Sequence, residues 1–397
     1  MITVSQMPAN LVLGIDATNL RHGGGVTHLY ELLKAANPQE YGFSRVVIFG
    51  GSETLQKIED RVWLEKISPP ELERGLFHRS LWQLFNLSDA IRRAGCDVLF
   101  IPGGSYMGNF KPSVLMSQNL LPFDYSELIR YGLSSKTLRL LFLRFIQSFS
   151  FRHATGMIYL TAYAQSVVSK IIGTIPGSIA VIPHGLSTRF LHRPKIQKPI
   201  SEYDFSKPYR FIYVSIVDHY KHQWNVVEAI AKLRSMGIPV ALDLVGSAYP
   251  RALSRLDSCI AEFDPKRYWV SYHGEVPYGD LHNIYSRADA GIFASSCENL
   301  PIILLETMAA GLPVACSKLG PMEEVLGNAG LYFNPLSPVD IADSLCQLIN
   351  SPELRTALSN KSYKISQSFS WGHCADETFH FLSKVAFKYK RLVCVEL

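Results

Sequence analysis

Short apolar runs alternate with helical patterns along this chain, and the alternation occurs twice, on either side of a polar, proline-punctuated break at residues 193–208. Before the break, residues 11–16, 45–50, 97–101, 113–117, 157–160 and 180–182 read as strands. After it, residues 209–215, 240–246, 268–273, 289–294 and 330–333 do. Runs that are apolar at every position suit strands buried on both faces, which means parallel sheets covered by helices. Residues 79–94, 134–149, 163–172, 224–236, 280–287 and 339–349 read as helices, and a last one follows Trp371. The expectation is an α/β chain of two doubly wound domains, residues 1–195 and 196–370.

Residues 295–314 carry the most chemistry. A strand ending at Ala294 runs into Ser295-Ser296-Cys297-Glu298-Asn299-Leu300-Pro301, and a helix follows. Pro301 suits a first helical position, where its missing N–H costs nothing. Ile302, Leu305 and Ala309 recur at helical spacing, Gly311 suits a left-handed cap, and Pro313 prevents continuation. Glu298 stands beside the free N–H groups of a helix start, which favour an anion. Glu306 stands inside an otherwise apolar helix, where a carboxylate is costly unless donors meet it. Sugar hydroxyls are such donors. A ligand carrying both phosphate and polyol fits the stretch. On spacing alone, a capping Glu298 with a salt-bridged Glu306 fits as well.

Glu298 and Glu306 with seven residues between them, Pro301 third after the first, and Ala310-Gly311-Leu312-Pro313-Val314 behind resemble the retaining glycosyltransferases of family 4 (glycosyltransferases group 1). These have the GT-B fold, two doubly wound Rossmann-like domains facing an interdomain cleft. The resemblance implies that Glu298 contacts the donor sugar, that Glu306 holds the nucleotide ribose, and that Asn299, Leu300 and Pro301 line the donor pocket. Lys221, at a strand-to-helix junction, matches the family lysine on the donor diphosphate. Ile216 stands where the family has an arginine, so one cation is missing. Gly274 and Val276 match a turn packed near the base. Gly24 and Gly25 match a glycine loop facing the cleft, and the helix over 371–397 is implied to cross back onto the first domain. Gln118 and Asn119 stand where many members have His-Asp. Neither can act as a base, although both can bond sugar hydroxyls. With His184, which replaces an asparagine in Val-Ile-Pro-Asn-Gly, they are the acceptor-side residues. Asn299-Leu300 departs from the usual Gly-Phe or Gly-Leu-Gly and leaves the donor sugar open. Taken as a lone histidine in a turn, His184 also reads as a structural group.

The loop Arg21-His22-Gly23-Gly24-Gly25-Val26 lies between a strand and a helix with Leu29, Leu32 and Leu33 on one side. It can cradle a phosphate or simply turn the chain. It is neither Gly-x-Gly-x-x-Gly nor followed by Gly-Lys-Ser/Thr, which excludes the dinucleotide and P-loop fingerprints. The absence of Gly-x-Ser-x-Gly excludes an esterase.

Charge is uneven. Residues 1–195 hold 20 Lys and Arg against 13 Asp and Glu, whereas the remainder holds 19 against 21. No acidic residue occurs between residues 128 and 201. A basic half without base-reading motifs suggests an anionic membrane or phosphorylated substrate rather than nucleic acid. Within it, residues 134–149 are dense in Leu and Phe with Lys136, Arg139 and Arg144 interleaved. They read either as a core helix whose basic residues snorkel or as an interfacial membrane helix. The start has no signal-peptide pattern, no apolar run approaches 20 residues, and the seven cysteines are scattered without metal spacing. A cytoplasmic protein with free thiols, peripheral at the inner face of the membrane, is the expectation.

The leading reading is a metal-independent, retaining hexosyl-type transferase for surface polysaccharide or glycolipid assembly. Its donor is a nucleotide-diphospho-sugar of UDP or GDP type, bound as a substrate with no cofactor, and its acceptor is a sugar or lipid-linked glycan. Lys221 and Glu298 are its catalytic residues, and no Asp-x-Asp motif is present to bridge the donor through a metal. The alternatives are a GT-B sugar-nucleotide epimerase and a non-catalytic sugar-nucleotide-binding subunit.

Overall fold

The computed structural model describes residues 10–21, 23–175 and 177–395. His22 and the first nine residues, on which the signal-peptide reading rests, lie outside them. The described residues form two compact units, one within Met1–Leu128, Gly132–Gly185 and Ser370–Leu397, the other made of Ile129–Tyr131 and Leu186–Phe369. Residues 186–195 go with the second unit because their contacts are there. The His192 N–H donates to the Ala309 carbonyl at 2.9 Å, and Phe190 packs on Tyr278 and Tyr285.

The first unit holds β1 (Leu11–Ala17), β2 (Phe43–Gly50), β3 (Leu64–Ile67), β4 (Val98–Ile101), β5 (Ser113–Ser117), β6 (Gly156–Tyr159) and β7 (Ser178–Val181). They are ordered β3-β2-β1-β4-β5-β6-β7 with every pairing parallel. Ile15 lies opposite Ile48 in β2 and Phe100 in β4, and all three are fully buried. The helix Gly24–Ala35 buries His28, Leu29, Leu32 and Leu33. The helix Trp371–Val395 packs Phe379 edge-on against Phe43 and pairs Lys390 with Asp97 at 2.6 Å.

The second unit holds β8 (Tyr209–Val214), β9 (Val240–Val245), β10 (Val270–Tyr272), β11 (Ala290–Phe293), β12 (Val314–Ser317) and β13 (Leu331–Phe333), ordered β10-β9-β8-β11-β12-β13, all parallel. Both sheets are doubly wound, as the alternating runs required. In each the winding reverses once, between β1 and β4 and between β8 and β11. Loops leaving the carboxyl ends of strands at such a reversal diverge and leave room for a ligand.

Two expectations about helices change. Residues 79–94 are not one helix but two, Leu76–Phe85 and Leu87–Arg93, separated at Asn86 with φ −112°. Asparagine competes locally for backbone bonds and is a weak helix former. The helix Ser135–Arg152 is not a core helix. It buries Leu140, Gln147, Ser150 and Phe151, while Leu138, Phe142 and Phe145 stand well exposed. Among the described residues, no helix is long and apolar enough to cross a membrane.

Candidate functional site

In the second unit, the two loops at the sheet reversal are laced together. After β8 the chain passes Ser215 to Asp218 and makes a single 3-10 turn, His219–Lys221. The Asp218 carboxylate accepts from the His219 N–H at 2.7 Å, and its Oδ1 also accepts from the Tyr131 hydroxyl at 2.9 Å. His222 adopts φ +51°, a left-handed conformation that a side chain occupies at a cost, and the helix Gln223–Ser235 begins there. After β11 the loop 294–301 runs back beside this turn. The Ser296 N–H donates to the Tyr220 carbonyl at 2.8 Å, and the Ser296 hydroxyl meets His222 Nε2 at 2.9 Å. Burial, and secondarily Arg130 and Arg255, hold the His222 imidazole neutral down to about 3.

Lys221 is the centre of this arrangement. Sequence alone suggests an exposed loop lysine, and the structure corrects that: the residue is only 4% exposed. Its ammonium is ion-paired with the Glu298 carboxylate and lies 5.0 Å from the Tyr220 ring centroid and 5.1 Å from that of Phe293. Its carbonyl accepts from the Tyr213 hydroxyl at 2.8 Å. A charge taken this far from water survives only if it is paired and its donors are met. So Lys221 and Glu298, 77 residues apart, are one electrostatic unit. The position where a second cation was missing, Ile216, is 40% exposed and brings no charge.

The helix following the loop is Ile302–Ala309, one residue later than the sequence suggests, with Pro301 at its cap. Asn299, Leu300 and Pro301 are buried ahead of it. Glu306 is 1% exposed in a helix buried nearly all round. Tyr285 donates to its Oε2 at 3.4 Å, and Tyr278 and Arg189 also act on it, but burial dominates and pushes the carboxyl up to about 8. Arg189 in turn stacks on Tyr278 at 4.9 Å. Gly274, with φ +67°, accepts from the Gly246 N–H at 2.7 Å through its carbonyl, and Val276 is half-buried in the same loop. Gly246 itself could carry no side chain, since a Cβ there would sit 2.2 Å from the Ser215 carbonyl oxygen.

Gly24, Gly25, Gln118, Asn119 and His184 all lie in the first unit. Gly23, with φ +76°, precedes the helix that Gly24 and Gly25 open. A Cβ on Gly25 would lie 3.5 Å from Gln118 Oε1, so the glycine loop and the β5 end are neighbours. Asn119 is exposed, with its Oδ1 accepting from the Leu121 N–H at 3.0 Å. His184 packs as core: its ring lies 4.3 Å from that of His28, and both touch Trp371. Burial pulls His184 down to about 3 and His28 well below 6.5, with His184 adding to the effect on His28. An unfolded chain protonates its histidines below about 6.5, while the folded one keeps these neutral. The stability present above that pH is therefore lost as pH falls towards 3. Urea midpoints should drop from pH 7 to pH 5, and His184→Phe, which keeps the ring packing, should reduce the drop. Equal midpoints across that range would refute it.

Tyr131, Asp218, His222, Tyr278, Tyr285 and Arg189 complete the second-unit site and were not legible beforehand. Tyr131, Arg189, Tyr278 and Tyr285 come from segments distant in sequence, whereas Asp218 and His222 flank Lys221 in its own loop and carry no motif. Among the described residues, no His, Cys, Asp and Glu cluster could hold a metal ion.

A family model described as glycosyl transferases group 1 matches residues 196–365. O-antigen chain mannosyltransferase B of Escherichia coli is 29% identical over 121 residues, 30% of this chain and 32% of that protein. D-inositol 3-phosphate glycosyltransferase of Saccharomonospora viridis is 29% identical over 133 residues, 33% of this chain and 30% of that protein. The chain thus spans about a third of the length of these curated relatives. Over its whole length it is similar to the solved sucrose-phosphate synthase of Thermosynechococcus elongatus, with TM-score 0.72, 16% identity, and 97% of this chain and 100% of that chain covered. It is likewise similar to Anabaena HepE in complex with UDP and glucose, with TM-score 0.66, 17% identity, and 94% and 100% covered. The two doubly wound sheets are those of the GT-B fold, as the resemblance in sequence implied.

Proposed function

We propose, from the match of residues 196–365 to the glycosyl transferases group 1 family model, that the chain moves a sugar from a nucleotide-diphospho-sugar to a hydroxyl acceptor with retained configuration. The observation that carries the reading is the ion pair of buried Lys221 with half-buried Glu298 at the β8/β11 reversal, with Glu306 buried in the helix that follows. On this reading the Lys221 ammonium meets the charge that grows on the departing diphosphate. Such a preset contact contributes ~3 kcal/mol to lowering the barrier. Glu298 orients that ammonium and bonds donor-sugar hydroxyls, while Glu306 accepts from the ribose. The bond from the anomeric carbon to phosphate breaks as the acceptor oxygen bonds on the same face, and the acceptor proton passes to the leaving phosphate oxygen. No step in this scheme calls for a metal.

The solved HepE complex with UDP and glucose supports a UDP-type donor, and the E. coli O-antigen chain mannosyltransferase supports a role in surface polysaccharide assembly. The acid-free stretch between residues 128 and 201 supports a lipid-linked acceptor and a peripheral place on anionic membrane, at its inner face.

Melting temperature with UDP-, GDP-, ADP- and dTDP-sugars should rise for one donor class, because a ligand bound only by the native state stabilises it. That donor, given with an accepted hydroxyl compound, should yield product of unchanged anomeric configuration by NMR. Binding without any turnover would replace this reading with a non-catalytic subunit, and C2 or C4 inversion of the free donor sugar would replace it with an epimerase.

A further inference from the structure

The helix Ser135–Arg152 is partly inverted, since beside Leu140 and Phe151 it buries two polar residues. It turns Gln147 and Ser150 inward and leaves Leu138, Leu141, Phe142, Phe145 and Phe149 exposed, at 71, 44, 66, 68 and 42%. Positions 138, 142, 145 and 149 recur every three or four residues and so form one stripe along the helix. Single exposed apolar residues are ordinary, but a contiguous aromatic stripe marks a surface that meets something apolar. The charged residues of the same helix are all of one sign. Lys136, Arg139 and Arg144 lie on the same helix, and no acidic residue occurs between residues 128 and 201.

The stripe ends at a cavity. Phe149 stacks on His153 at 4.2 Å, and His153 lines a cavity of about 430 Å³ together with Lys111, Arg152, Ser178, Lys388 and Tyr389. No acidic residue lines it. Arg152 is held towards it by donating through Nε to the Ile172 carbonyl at 3.0 Å. Apolar side chains beside a cationic recess match the two layers of an anionic bilayer, acyl chains beneath phosphate.

We infer that this face docks on an anionic phospholipid bilayer, with the Leu138–Phe149 stripe entering the acyl boundary and the cavity seating a lipid phosphate. The inference rests on the reading of a membrane-peripheral enzyme and gives it a surface. It is separable from the transferase reading, because donor-induced stabilisation is measured in the same samples without lipid.

The test is partitioning of the full chain onto phosphatidylcholine vesicles with and without phosphatidylglycerol. The wild type should favour the anionic vesicles by ~10-fold or more and lose the preference at high salt. Phe142→Ser with Phe145→Ser should cut partitioning by ~10-fold without lowering the melting temperature, since both rings are already in water. Leu138→Ser with Leu141→Ser is the second variant should that pair fail to fold. Arg152→Ala with Lys388→Ala should remove most of the preference for anionic over neutral vesicles, up to about 30-fold at ~1 kcal/mol per cation. Equal partitioning of wild type and variants would overturn the inference. So would a dimer by light scattering that the Phe variant dissociates while vesicle binding stays unchanged, which would make the stripe an interface between copies. Stabilisation by inorganic phosphate that depends on Arg152 and Lys388, without vesicle binding, would assign the cavity to a free anion instead.

Discussion

Lys221→Ala is expected to lower kcat by ~10²-fold or more, a loss of about 2.7 kcal/mol in the transition state. Donor KM should change less, because the charge that Lys221 meets is larger on the departing diphosphate than on the bound donor. With Ile216 bringing no charge to the neighbouring position, no second cation of the same loop takes over. The structure adds a consequence for stability. Lys221 is buried against Glu298, so its removal strands a carboxylate in a place where breaking a pair costs ~3–5 kcal/mol. Turnover and stability therefore fall together, and a third variant separates them. Lys221→Met with Glu298→Leu replaces both charges by apolar groups of similar size and should recover most of the stability while remaining inactive. Lys221→Arg should rescue poorly, since a planar fork does not fit the place of a compact ammonium. Rates are to be compared well below each melting temperature. Near-normal turnover of Lys221→Ala would remove Lys221 from the reaction.

That coupling marks the limit of what sequence showed. Short apolar runs such as Val98 to Ile101 and Ala290 to Phe293 are buried on both faces, and their composition reports it directly. Glu298 and Glu306 were legible because they stand out, a carboxylate beside a proline cap and another inside an apolar helix. The burial of Lys221 was not legible. It arises where the loop after β8 meets the loop after β11, and nothing between residues 221 and 298 records that meeting. The helix Pro352–Ser366 was missed for another reason. Its inward face carries Ser359, Ser362 and Ser366, all fully buried, so hydrophobic periodicity has little to detect. The helix Ser135–Arg152 was detected but could not be oriented, because its buried positions include Gln147 and Ser150 and its exposed ones are aromatic. Periodicity assumes that apolar means inward, and the exposed phenylalanines break that assumption.

Glu306→Gln is expected to weaken nucleotide binding by ~1.5–3 kcal/mol at alkaline pH, the value of charge-assisted hydrogen bonds from ribose, and by much less near pH 6. The reason lies in the position of the group. Burial raises the Glu306 carboxyl to about 8, so at neutral pH much of the free protein holds it protonated, and a neutral acid accepts from a ribose hydroxyl hardly better than an amide does. Binding that needs the carboxylate must release that proton, and affinity should climb as pH rises through about 8. The glutamine variant has no proton to release and should show a flat profile. Stability runs the other way. Between its ordinary value of 4.5 and about 8, the folded protein holds a proton that the unfolded chain has lost. The contribution is therefore full below 4.5 and lost as pH rises through 8. In urea titrations without nucleotide, Glu306→Gln should lack this decline. Calorimetry of nucleotide binding in two buffers of different ionisation enthalpy would count the released proton at pH 7. A ratio of wild-type to variant affinity that stays constant from pH 6 to above the Glu306 value would remove Glu306 from the ribose site, whatever the fate of Lys221.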